Sequence, residues 1–190
     1  LGNGYEIAVT IGNPVAPIQN FAANTEILNG GFLSGNSGGL GVSIVQDGGK
    51  YRHQLGFSVP FKEFDGDAEV NYGKTHELAY GLDTKISENS YMSIIAGVSK
   101  EDQTFLGSQG SGAYNLADGT TYTKYLGTKY NHRFQDDTYL ELHGMVGKSD
   151  LSGMTDSVIN SIDNTVTVAS SFTVGKENLF GNDNLTISVV

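Results

Sequence analysis

The sequence predicts an all-β fold: an antiparallel meander of roughly nine or ten strands, closed as a β-barrel or, as the alternative, folded as a β-sandwich. Apolar and polar residues alternate along most of the chain, whereas a helical period is almost nowhere convincing. The 190 residues include 26 glycines and only 3 prolines, together with 10 tyrosines and 9 phenylalanines. This composition is typical of many short strands joined by tight turns.

The first half of the chain carries five predicted strands, which alternate over residues 5–12, 38–46, 55–61, 76–86 and 90–100. A proline-bearing stretch follows the first strand and is predicted to be a loop or an edge segment. Turns are predicted at Asp65-Gly66-Asp67 and at Ser87-Glu88-Asn89, because Asp, Asn, Ser and Gly favour turn conformations. Three of these strands place large apolar residues on one face, as in Leu55, Phe57 and Val59.

The second half is predicted to contain a long loop at 107–119, a long strand ending near Phe134, a turn at 135–137, and strands over 138–150, 161–176 and 184–190. No shift in composition marks a boundary, so residues 1–190 are predicted to form a single domain. The alternation is still running at Val190, which predicts a cut or processed end there.

Composition also excludes some classes of function. The formal net charge of -10 disfavours a nucleic-acid partner, whose binding needs a basic face, and also disfavours docking on anionic lipid by charge alone. The chain has no cysteine, hence no disulfide framework. Whether the strands lie in a membrane stays open. An apolar band is evident in 55–61, but Lys124 and His132 interrupt it in the strand from Tyr122, and tryptophan is absent.

No motif predicts catalysis, a cofactor or a metal ion. The stretch Gly35-Asn36-Ser37-Gly38-Gly39 resembles the nucleophile loop of chymotrypsin-like proteases, but no histidine precedes Ser37, so a turn is the better interpretation. The four histidines form no close ligand pair. His132 and His143 are candidates to meet across the turn at 135–137, and Asp65 with Asp67 is a candidate calcium ligand pair that fits a solvated turn better.

Three stretches carry a resemblance to a known family. They are SSFTVGKENLFGNDNLTISVV at the end of the chain, SKEDQTFLGSQGSGAYNLADGTTYTKYLGTKYNHRF from Ser99, and LELHGMVGKSDLSG from Leu140. Together they resemble the C-terminal β-region of bacterial subtilase-type autotransporter serine proteases, over about residues 78–190. The chain lacks every subtilase catalytic motif, so the resemblance implies an accessory β-domain without protease activity. It also implies a subtilase-type passenger domain if the chain is part of a longer one.

The predicted function is that of a non-catalytic β-domain of a bacterial surface or secreted protein, serving export, anchoring or assembly at the cell envelope. Its predicted location is the bacterial outer membrane, the cell surface or the extracellular space. One alternative is a soluble module that binds carbohydrate or a protein. The other is a structural subunit that self-associates by strand exchange, with Leu185, Ile187 and Val189 as the assembly edge.

Overall fold

A computed structural model describes residues 4–12, 39–60, 74–103, 105, 112–114, 116, 118–155, 157–178 and 184–189. Within these ranges the chain forms nine strands and a single 3₁₀ turn, Gly112–Tyr114. The strands are β1 (Gly4–Gly12), β2 (Gly39–Asp47), β3 (Tyr51–Pro60), β4 (Lys74–Ser87), β5 (Ser90–Asp102), β6 (Thr120–Arg133), β7 (Thr138–Ser152), β8 (Ile162–Glu177) and β9 (Asn184–Val189).

The nine strands form one sheet in chain order, and every neighbouring pair is antiparallel. This confirms the predicted all-β meander, with one sheet in place of the two sheets of a sandwich. Strands β1 and β9 are the two edges of the described sheet and run parallel to each other, because eight antiparallel steps separate them. The described part of the chain contains no helix that is long and apolar enough to cross a membrane.

The two ends of the strands differ in how much chain connects them. At one end, here called the turn end, the links are residues 48–50, 88–89, 134–137 and 178–183. At the opposite end, here called the loop end, the links are residues 13–38, 61–73, 103–119 and 153–161. The turns predicted at 87–89 and 135–137 are confirmed, and both lie at the turn end.

Glycine conformation, hydrogen bonds and ion pairs stabilise the turns at the turn end. Gly49 has a φ of 82°, which a residue without a side chain adopts at little cost, and its amide donates to Oδ1 of Asp47 at 2.8 Å. In the β6–β7 turn the Arg133 guanidinium contacts the carboxylates of Asp137 and Glu177. Hydrogen bonds from Thr138, and then from Lys176, hold the pKa of the Asp136 carboxyl below its usual range.

A small apolar cluster closes the loop end between β6 and β7. Leu116, Leu151 and Met154 are buried there against each other. Phe105, Ile159 and Ile162 pack around them. The two connecting segments are also tied together by backbone, since the amide of Val158 donates to the carbonyl of Ala113 at 2.8 Å. The described residues of the links after β5 and β7 therefore contact one another at the loop end.

Candidate functional site

The two faces of the sheet have opposite chemistry. Side chains alternate between faces along each strand, and the register between strands shows which residues of neighbouring strands share a face. One face, here called the apolar face, carries Tyr5, Ile7, Val9, Val42, Ile44, Leu55, Phe57, Val59, Leu78, Tyr80, Leu82, Met92, Ile94, Ala96, Val98, Leu126, Tyr130, Leu140, Leu142, Val146, Val166, Val168, Phe172, Val174, Leu185, Ile187 and Val189.

The apolar face is exposed. Ile7 is 66% exposed, Val168 72% and Ile187 63%, and these three belong to three different strands. One row of directly opposite residues crosses the sheet from β1 to β8 and carries an aliphatic or aromatic side chain at every position: Ile7, Ile44, Leu55, Tyr80, Ala96, Leu126, Val146 and Val168. Soluble monomers rarely expose contiguous apolar patches beyond a few hundred Å². The row of apolar residues on this face spans eight strands of the described sheet.

The apolar band crosses the rows of opposite residues diagonally. The row that starts with Val9, Val42 and Phe57 on β1–β3 reaches Lys124 and Lys148 on β6 and β7. Conversely, the row that is apolar at Leu140, Val174 and Ile187 on β7–β9 is polar at Ser90 and His132. The band thus drifts toward the turn end from β1 to β9, with Val166 on β8 as an exception at its loop-end border. Strands that tilt through a slab of constant height produce this drift.

The opposite face, here called the polar face, is the buried one. Glu77, Ser99, Thr123 and Ser149 form one row across β4–β7, and all four are buried. The next row toward the loop end is Thr75, Glu101, Thr121 and Leu151, also buried. The hydroxyls of Thr123 and Ser149 share a hydrogen bond of 2.7 Å. Buried polar groups are tolerated where they are hydrogen-bonded in this way, whereas the Ser99 hydroxyl in the same row has no hydrogen-bond partner among the described residues.

Tyrosines lying over glycines organise the polar face. The Tyr125 ring crosses β5 directly above Gly97, where a Cβ atom would overlap the ring, and its hydroxyl donates to Oε1 of the buried Glu77 on β4. The same arrangement recurs near the turn end. There Tyr139 lies over Gly175 on β8, and its hydroxyl hydrogen-bonds Thr186 on β9 at 2.8 Å. Each tyrosine therefore joins three adjacent strands, and each glycine supplies the space for the ring.

The structure places the predicted site residues as follows. Leu185, Ile187 and Val189 lie on β9, on the apolar face, where they are 50%, 63% and 63% exposed, and β9 is paired on one side by β8. His132 and His143 do not meet, because alternation places His132 on the apolar face and His143 on the polar face. Among the described residues there is no group of three metal-ligating acids, histidines or cysteines. Ser37, Asp65 and Asp67 lie outside the described residues.

Two contacts between strands were not predicted from the sequence. Glu77 and Tyr125 are far apart in the chain and meet only because β4, β5 and β6 are neighbours. The pairing of Lys124 with Lys148 depends on the β6–β7 register in the same way. The sequence signal that could have indicated these contacts was the composition of the less apolar face of each strand, which is rich in Gly, Ser and Thr.

No family model, curated protein sequence or solved structure matches this chain.

Proposed function

We propose that the sheet is the wall of a β-barrel in a bacterial outer membrane, where it serves as the non-catalytic anchoring or export domain of a surface protein. The single observation that carries this proposal is the inversion of the two faces: apolar residues are exposed and polar residues are buried. In water this arrangement is costly, since exposed apolar surface is unfavourable by about 25 cal/mol per Å². In hydrocarbon it is the favourable arrangement, because lipid faces the apolar side chains.

Three further features support the proposal. Short links alternate with long links at the two ends of the strands, as short periplasmic turns and longer extracellular loops do in outer-membrane barrels. The diagonal apolar band fits strands tilted through a bilayer. Aromatic side chains are exposed near both borders of the band, Tyr51 and Phe134 at the turn end and Tyr122 at the loop end, where amphipathic rings settle at a membrane interface.

Lipid would also require the sheet edges to be paired, because unpaired backbone groups cost several kcal/mol each in hydrocarbon. Strands β1 and β9 are the edges that need partners. This requirement gives the second candidate function its basis: the β9 edge, with Leu185, Ile187 and Val189, accepts a strand from another molecule. Its support is that β9 has a described partner on one side and an exposed apolar face.

Folding with and without lipid tests the proposed function. The urea-unfolded chain is diluted into buffer alone or into buffer with dilauroyl phosphatidylcholine vesicles, and circular dichroism and protease resistance are measured. We expect a β-sheet spectrum and protease-resistant strands only with vesicles, because only lipid covers the apolar face. Folded monomers in lipid-free buffer would contradict membrane insertion. Concentration-dependent polymers in lipid-free buffer that disappear on deletion of residues 185–190 would instead favour assembly through β9.

A further inference from the structure

Two lysines face each other on the apolar face. Lys124 on β6 and Lys148 on β7 are directly opposite in the register, and both side chains are exposed. Like charges directly opposite each other on neighbouring strands are destabilising unless an anion lies between or above them. The chain as a whole is strongly acidic, with a formal net charge of -10. A close pair of cations is therefore not a consequence of general composition.

Neither lysine has a counter-charge within the described part of the chain. The ion pairs formed by the described residues include neither Lys124 nor Lys148. Two carboxylates lie on the same face toward the loop end, Asp150 in the next row and Asp102 beyond it, and neither forms an ion pair with these lysines. Asp102 is paired with Lys100 at 2.9 Å, and Asp150 accepts a hydrogen bond of 2.7 Å from the amide of Asn164. No direct ion pair among the described residues therefore occupies either ammonium group.

The residues around Lys124 and Lys148 indicate which kind of anion fits between them. Val98 and Val166 flank the lysines in their own row, and Leu126 and Val146 lie in the next row toward the turn end. On the side of the loop end the next position of β6 is Tyr122, an exposed aromatic residue. The pair thus lies at the border of the apolar band, where a long lysine side chain keeps its stem on apolar surface and extends its charged end toward water.

We propose that Lys124 and Lys148 together bind the phosphate group of a membrane lipid, in the leaflet at the loop end, with the acyl chains of that lipid lying on Leu126 and Val146. This inference rests on the proposed membrane location. It accounts for a paired charge at the border of the apolar band, in a row that is apolar at Val98 and Val166. A phosphate oxygen accepts hydrogen bonds from both ammonium groups and removes their mutual repulsion. Because the two lysines carry two positive charges, we expect a lipid without net negative charge to bind the site poorly.

The test measures lipid binding by the full chain folded in dodecyl maltoside micelles. The probes are dimyristoyl phosphatidylglycerol, whose phosphate carries the net charge, and dimyristoyl phosphatidylcholine, whose choline neutralises it. Inorganic phosphate serves as a probe of the anion without its acyl chains. We expect phosphatidylglycerol to bind best, and Lys124→Gln/Lys148→Gln to weaken its apparent affinity by about 10- to 30-fold. Lys124→Arg/Lys148→Arg keeps both charges and should retain the binding.

A matched control removes one charge at the other end of the strands. Lys85→Gln at the turn end of β4 should leave the affinity for phosphatidylglycerol unchanged. Equal affinity of the wild-type chain and the double glutamine variant for phosphatidylglycerol would overturn the inference, as would binding of inorganic phosphate that equals binding of the lipid. A wild-type chain that folds without any lipid or detergent would refute the membrane location instead, so the two failures are distinguishable.

Discussion

Leu126→Arg should lower the free energy of unfolding by about 1–3 kcal/mol when the protein is folded in phospholipid vesicles, between the cost near the interface and the cost at the bilayer midplane. Leu126 lies on the row that is apolar from β1 to β8 and is 52% exposed on the apolar face. If this face contacts hydrocarbon, the arginine must bring its charge into the bilayer or distort the lipid around it. Urea unfolding in dilauroyl phosphatidylcholine vesicles, followed by circular dichroism, gives the free energy directly.

Ile86→Arg is the matched control for this substitution. Ile86 is 56% exposed and lies at the turn end of β4, next to the turn at 88–89. The same change of side chain there should cost about 0–1 kcal/mol, because a charge near the interface reaches water. If the apolar face were in contact with water, Leu126→Arg would behave as an ordinary surface substitution, within about 0.5 kcal/mol. Equal small effects at both positions would therefore refute contact with lipid.

Gly97→Ala should destabilise the fold by about 1–3 kcal/mol, the usual range for overpacking a well-packed interior. A methyl group at this position would overlap the Tyr125 ring, so the ring must move and its hydrogen bond to the buried Glu77 is lost. Gly144→Ala is the matched control, since the nearest atom to its added methyl group, Cγ2 of Thr128, is 3.9 Å away. The measurement is again the free energy of unfolding in vesicles.

A double-mutant cycle separates the proposed cause from other effects of the alanine. In a Tyr125→Ala background the ring is absent, so Gly97→Ala should become nearly neutral. An equal cost of Gly97→Ala with and without the tyrosine ring would show that the packing of Tyr125 over Gly97 is not what requires glycine. The tyrosine variant alone should be destabilised by a few kcal/mol, since it opens a cavity and leaves the Glu77 carboxyl buried without its donor.

The strands and the tight turns were predictable because their signals are local. Alternation placed Leu55, Phe57 and Val59 on one face of a strand, and the turn at 135–137 followed from Gln-Asp-Asp alone. Alternation shows that two faces differ, but it does not show which face is buried. The ordinary expectation in water is that the apolar face is buried, and the structure shows the reverse, with Thr121 and Thr123 buried and Leu126 exposed.

The interpretation of Lys124 depends on the register between strands, which the sequence alone does not give. In a single strand, a lysine among apolar residues looks like an interruption of the band, and it argued against a membrane. The register changes this interpretation, because the band crosses the strands diagonally and Lys124 lies at its border on β6. His132 lies at the opposite border of the same strand. Register depends on contacts between distant parts of the chain, which one sequence without its structure does not display.

Site-specific labelling of β8 tests the central claim most directly, namely that the apolar face lies in lipid. The chain has no cysteine, so each introduced cysteine is the sole attachment site for a fluorescent label. Val166→Cys and Val168→Cys report on the apolar face, and Thr165→Cys and Thr167→Cys on the polar face. In vesicles whose phospholipid acyl chains are brominated, we expect strong quenching at 168, weaker quenching at 166 in the row of Lys124 and Lys148, and the weakest quenching at 165 and 167. Uniformly weak quenching at all four positions would contradict a lipid-facing sheet.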